Sequence, residues 1–114
     1  MLSQETIAAI LDFRRERDWE QFHNARTLAA ALSVEAAELL EHFVWARDEQ
    51  VSDIVAAKGD RIEQELADVA ILLTYLANEM NVDLDAAVSR KLTTNAQKYP
   101  VAKSKGRNTK YTDL

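Results

Sequence analysis

Residues 25–46 read ARTLAAALSVEAAELLEHFVWA, and this stretch decides the fold. Ala, Leu and Glu, all strong helix formers, fill most of it. Leu28, Leu32, Leu39 and Phe43 recur at helical spacing and fall, at about 100° per residue, within an arc of roughly 60°. The pattern predicts an amphipathic helix over about 25–46, with Asn24 positioned to cap it.

Upstream, Ser3 is placed to cap a first helix that runs to about Arg17 and carries Ile7, Ile10 and Leu11 on one face. The segment Asp18-Trp19-Glu20-Gln21-Phe22-His23-Asn24 breaks that pattern. Downstream, residues 47–60 are polar and contain Gly59, which predicts a connection with at most a short helical turn near Val51–Ala57. Ile62, Leu66, Val69, Leu73 and Leu76 mark a third helix from about Asp60 to Met80. Asp83 can cap a fourth, which Pro100 stops near Tyr99. The expected fold is therefore all-α: four helices in one domain over residues 1–114, with a basic, irregular tail from 100 to 114.

Composition narrows the function. Two Gly and one Pro among 114 residues argue against a turn-rich sheet and against a Gly-rich phosphate loop. Lys and Arg number 14 against 19 Asp and Glu, a net charge of −5, which disfavours nucleic acid as a partner. A phosphorylated ligand would then be met through divalent cations. The absence of Cys removes disulfides, thiolate zinc sites and Cys nucleophiles together. No stretch is apolar enough for a membrane span and no signal-peptide pattern is present, so a cytoplasmic location is expected.

Two acidic pairs stand at the margins of the apolar faces. Glu35 and Glu38 lie one turn apart on the second helix, and Glu65 and Asp68 are spaced alike on the third. Clustered carboxylates are costly to bury unless a proton or cation neutralises them. If the two helices pack antiparallel, all four can converge, and an oxygen-only set suits Mg²⁺ or Mn²⁺ with positions left for water and phosphate. The plainer alternative is a solvated acidic surface. Trp19 and Trp45 either fill the core or offer flat rings to a heterocycle. His42 follows Glu38 by four residues rather than three, so the Glu-x-x-His pattern of di-iron bundles is missing and His42 reads as structural or exposed. No Ser-His-Asp or Lys-based nucleophile constellation stands out.

Together these features resemble the MazG-like nucleotide pyrophosphohydrolases of the all-α NTP pyrophosphatase superfamily, and among them the dCTP pyrophosphatase-like branch. The family's two acidic clusters correspond to Val34-Glu35-Ala36-Ala37-Glu38 and Glu65-Leu66-Ala67-Asp68, with Val34 replacing the first Glu of the wider motif. Arg17-Asp18-Trp19-Glu20-Gln21-Phe22-His23 is similar to the branch's substrate-binding segment, and Phe43-Val44-Trp45 to its second aromatic site. Thr94–Val101 and the ending Lys110–Leu114 also resemble that branch. The resemblance implies hydrolysis of a nucleoside triphosphate to monophosphate and pyrophosphate, a nucleotide-pool house-cleaning reaction. It implies Glu35, Glu38, Glu65 and Asp68 as Mg²⁺ ligands and catalytic groups, with Glu35 or Glu38 handling the water. It assigns Trp19, Glu20, Gln21, Phe22, His23 and Trp45 to the base and sugar pocket, and Lys91, Asn95 and Tyr99 to phosphate or sugar contacts. Ile10 and Leu72 stand where relatives carry a His and a Tyr near the substrate.

Helices this short leave apolar faces uncovered, so a homodimer is expected, or by resemblance a homotetramer. The competing reading is a non-catalytic helical partner-binding module, such as half of a toxin–antitoxin-like regulator. Mg²⁺-dependent pyrophosphate release separates the two.

Overall fold

The computed structural model describes residues 2–114, and every regular element among them is helical. The chain falls into two compact units, one ending at Asn81 and one starting at Val82.

In the first unit, α1 spans Gln4–Glu16 and starts where the Ser3 hydroxyl accepts the Thr6 backbone N–H at 3.1 Å. Helix α2, Ala25–Glu41, opens with a reciprocal cap: Asn24 Oδ1 accepts the Thr27 N–H at 2.9 Å, and Thr27 Oγ1 accepts the Asn24 N–H at 3.0 Å. Both caps are those the sequence predicts. The end of α2 is not. The helix stops at Glu41, and His42 to Trp45 form a turn in which the Phe43 N–H reaches Leu40 O at 2.8 Å. The aromatic and β-branched run Phe43-Val44-Trp45 has poor helix propensity, and the His42 side chain is held elsewhere.

Helix α3 spans Val51–Glu79, so most of the expected polar connection is helical. Val51, Ile54 and Val55 supply an apolar spacing that the surrounding polar residues obscure. The break expected near Gly59 survives as a kink at Lys58, whose φ of −116° and ψ of 19° leave helical space.

His42 pairs with Glu65 and His23 stacks near Tyr75, so rising positions along and before α2 meet falling positions on α3. The two helices are antiparallel. α1 joins the C-terminal half of α3, where Arg14 meets Asn78 and Glu79. Leu28, Ile62, Tyr75 and Ala77 form the small buried apolar core, with Thr74 and Arg14 buried beside them. Full burial of a side chain such as Leu28 contributes about 1.5–3 kcal/mol.

The second unit contains α4, Leu84–Lys98, capped by Asp83 as predicted, with the Ala86 N–H donating to Asp83 Oδ1 at 3.1 Å. The tail read as irregular carries a further short helix, α5, at Val101–Ser104 and a 3₁₀ turn at Tyr111–Asp113. Within this unit the rings of Tyr99 and Tyr111 meet edge to face at 5.9 Å, and Lys98 Nζ lies 4.7 Å from the Tyr111 ring centre. Gly106, at φ +75°, makes the turn between those elements.

Candidate active site

A cleft of about 510 Å³ opens in the first unit, lined by Phe13, Trp19, His23 and Tyr75 together with Glu35 and Asp68. Its volume suits a small-molecule ligand. Ile10 and Leu72 also line it.

The ring side of the cleft is built by the segment after α1. Asp18 adopts φ +55°, a left-handed conformation that Asp tolerates, and reverses the chain. The Trp19 N–H then returns to Arg14 O at 3.0 Å, and the Trp19 ring meets Phe13 edge-on at 5.7 Å. Gln21 Nε2 donates to Asp18 O and Oδ2, bracing the turn. His23 packs against Tyr75 at 5.3 Å between ring centres. Burial, then the Arg14 charge, hold the His23 ring below the ordinary histidine range, against the opposing pull of Glu79 and Glu20.

The acidic side is a set of mutually repelling carboxylates. Glu35 is half-buried, and its Oε2 is enclosed without a hydrogen-bond partner. Burial first, then the neighbouring carboxyls of Glu38, Asp68 and Glu65, push Glu35 above the usual carboxylate range. Glu38 and Asp68 are exposed. Glu65 is half-buried and accepts the His42 Nε2–H at 2.5 Å, so His42 is structural rather than exposed. All four sequence-predicted carboxylates thus share one electrostatic neighbourhood. Among the described residues no three acidic or His side chains stand close enough together to hold a metal ion as they are. The donor chemistry nevertheless fits a hard cation: oxygen ligands, an orphaned buried oxygen, and repulsion that a positive charge would relieve.

The other sequence-assigned residues lie in different places. Glu20 faces Arg15 at 3.5 Å, and Phe22 is 66% exposed; neither lines the cleft, nor does Gln21. Trp45 is 93% exposed and lines a separate hollow of about 470 Å³ with His42 and Lys58. Lys91 and Asn95 lie on α4 in the second unit, and Tyr99 follows them at its end. Sequence reading passed over Arg14, His42 and Tyr75 as site residues. Arg14 and Tyr75 follow Ile7 and Asp68 by seven positions and so share their helical faces, and His42 caps α2 seven positions after Glu35.

The sequence profile of the MazG-like family matches residues 30–114. The chain belongs to the MazG-like family. Among its relatives, dCTP pyrophosphatase 1 of Rattus norvegicus is 46% identical over 105 residues, covering 90% of this MazG-like chain and 62% of the rat protein. The Homo sapiens protein of that name is 40% identical over the same share of both chains. The chain therefore spans less than two-thirds of the length of these curated relatives. A crystal structure of a pyrophosphatase from Archaeoglobus fulgidus DSM 4304 superposes with a TM-score of 0.83 at 35% identity, covering 85% of this MazG-like chain and 91% of that one. No helix among the described residues is long and apolar enough to cross a membrane.

Proposed function

We propose that this chain is a Mg²⁺-dependent nucleoside triphosphate pyrophosphohydrolase that converts a nucleotide, dCTP or a modified relative of it, to the monophosphate and pyrophosphate. The observation that carries this reading is one cleft lined both by the Trp19, His23 and Tyr75 rings and by Glu35 and Asp68. A base can stack on the rings while its triphosphate lies towards the carboxylates. The named activities of the rat and human relatives and of the archaeal structure support the same chemistry.

Glu35, Glu38, Glu65 and Asp68 would hold Mg²⁺, or Mn²⁺ in its place, which when bound neutralises triphosphate charge and acidifies water. The protein's part is placement. The partner-free Oε2 of Glu35 is available to orient a water and accept its proton, with Glu38 the neighbouring alternative. His42 holds Glu65 in a fixed orientation. The enclosed oxygen of Glu35 also weighs against carboxylates that merely decorate a solvated, partner-binding surface.

We read the assembly as a homodimer or homotetramer in the cytoplasm, serving nucleotide-pool house-cleaning. Leu40, Leu66 and Val34 are each more than half exposed in the single chain, which supports a covering copy. A light-scattering concentration series showing only monomer would sink the assembly reading. The activity is tested by quantifying pyrophosphate and monophosphate across natural and modified triphosphates, with Mg²⁺ and with EDTA. Absence of release from every nucleotide, or release undiminished by EDTA, would refute it.

A further inference from the structure

Arg14 is 2% exposed, an unusual fate for a guanidinium, and the carboxylate chemistry makes no use of it. Its Nη2 donates to Asn78 Oδ1 at 2.8 Å, and its Nη1 lies 2.8 Å from Glu79 Oε1. The same Nη1 donates to His23 Nδ1 at 3.2 Å. Glu79 and Asn78 thus hold the guanidinium at the C-terminal end of α3, and the guanidinium in turn meets one chosen nitrogen of His23.

That choice has a chemical consequence. A guanidinium has only N–H donors and does not lose its proton in a protein, so the nitrogen facing it must be the acceptor. When Nδ1 accepts, the single proton of the neutral ring sits on Nε2. The charged and titratable groups around the ring are Arg14 on α1, Glu20 in the following turn, and Tyr75 and Glu79 on α3; burial and Arg14 outweigh the acids and favour the same neutral form that the Arg14 contact requires. His23 lines the cleft and Arg14 does not. The nitrogen that Arg14 does not occupy, Nε2, is thus the one left to serve the cleft that His23 lines. No hydrogen bond from Nε2 is made among the described residues.

We propose that Arg14 is a positioning residue that fixes His23 as the Nε2–H tautomer, so that the cleft offers a neutral N–H donor to an acceptor on the nucleobase, a ring carbonyl or an unprotonated ring nitrogen. The assignment rests on reading the cleft as a nucleotide pocket. Arg14 serves that pocket twice, because its backbone carbonyl also receives the Trp19 N–H.

The test uses the full chain, ¹⁵N-labelled, with two-bond ¹H–¹⁵N correlations of His23 near neutral pH and dCMP as the probe, which carries a base but no anhydride to hydrolyse. The wild-type spectrum should show the Nε2–H tautomer without nucleotide, and dCMP should shift that N–H. Arg14→Met should mix the tautomers and raise the dCMP Kd and the KM for dCTP by roughly 2- to 10-fold with kcat held, the size of one neutral hydrogen bond. Arg14→Lys retains a donor for Nδ1 and should restore both the tautomer and the affinity. A wild-type proton on Nδ1 overturns the proposal without any variant, so it survives as a testable statement even if Arg14→Met fails to fold. A dCMP titration that moves Trp19 fluorescence but leaves His23 untouched overturns the proposal alone. A titration that moves neither overturns the nucleotide-pocket reading with it.

Discussion

His42 Nε2 lies 2.5 Å from Glu65 Oε2, joining the residue that ends α2 to the middle of α3. Through it, the orientation of a carboxylate at the candidate site depends on where the preceding helix stops. His42→Ala should leave Glu65 half-buried without its donor. Loss of outer-shell partners of ligating groups weakens metal affinity about 10- to 100-fold, so the Mg²⁺ concentration for half-maximal pyrophosphate release should rise by that factor. An unchanged Mg²⁺ dependence would show that Glu65 needs no such support.

Glu38→Gln and Asp68→Asn should each abolish turnover while circular dichroism stays helical. Each swap removes an anionic oxygen but keeps the side-chain shape, and both positions are exposed, so folding is spared. Near-wild-type activity at saturating Mg²⁺ in either variant would count against its place in the cluster.

Glu35 gives the metal-free protein a pH signature. Its folded-state pKa is raised, by burial first and then by Glu38, Asp68 and Glu65. An acid raised in this way contributes stability that is full below its unfolded-state pKa and lost as the pH climbs through the folded value. Denaturation midpoints in EDTA should therefore fall from the acid side of the carboxylate range towards neutrality. Glu35→Gln should flatten this slope and melt later than wild type at neutral pH; a slope as steep as wild type would contradict the assignment.

The two tryptophans should part company. Trp19→Ala removes a cleft ring and should weaken nucleotide binding by about 1–3 kcal/mol, roughly 5- to 150-fold. Trp45→Ala removes a ring that is 93% exposed in the single chain and should change its folding stability by no more than about 0.5 kcal/mol. Isothermal titration beside thermal melting distinguishes them, and equal losses of affinity would show that Trp45 reaches a base as well.

Gly59→Ala should stabilise. A β-carbon built there meets no atom within 4 Å, and the position is helical. Replacing Gly by Ala in a helix is worth about 0.5–1 kcal/mol, which should raise the melting midpoint by several degrees. A lower midpoint would mean that the kink at Lys58 needs the freedom of its neighbour.

What was legible in the sequence is what local chemistry decides. Ser3, Asn24 and Asp83 cap helices through their own side chains, and the spacing of Glu35, Glu38, Glu65 and Asp68 sets their faces. The missing parts depend on distant partners. Arg14 puts a charge in line with Ile7, Ile10 and Leu11, and its role stays hidden until Asn78 and Glu79, far along the chain, arrive to receive it. The early stop of α2 coincides with the bond from His42 to Glu65, which no short window contains. The family resemblance assigns Trp45 to the base pocket with Trp19, and in the single chain the turn that follows α2 carries it to another hollow.

The kink at Lys58 has a consequence for how α3 carries its carboxylates. The links between the two acidic pairs fall beyond it on α3: His42 grips Glu65, and Glu35 and Asp68 share the cleft. Because the helix loses its straight axis at Lys58, the stretch that carries Glu65 and Asp68 takes its direction from its own partners on α2 rather than from the turns ahead of the kink. One long helix thus serves two addresses: ahead of the kink Asp53, Ile54 and Ala57 line the hollow that holds Trp45, and beyond it Asp68, Ile71 and Leu72 line the cleft.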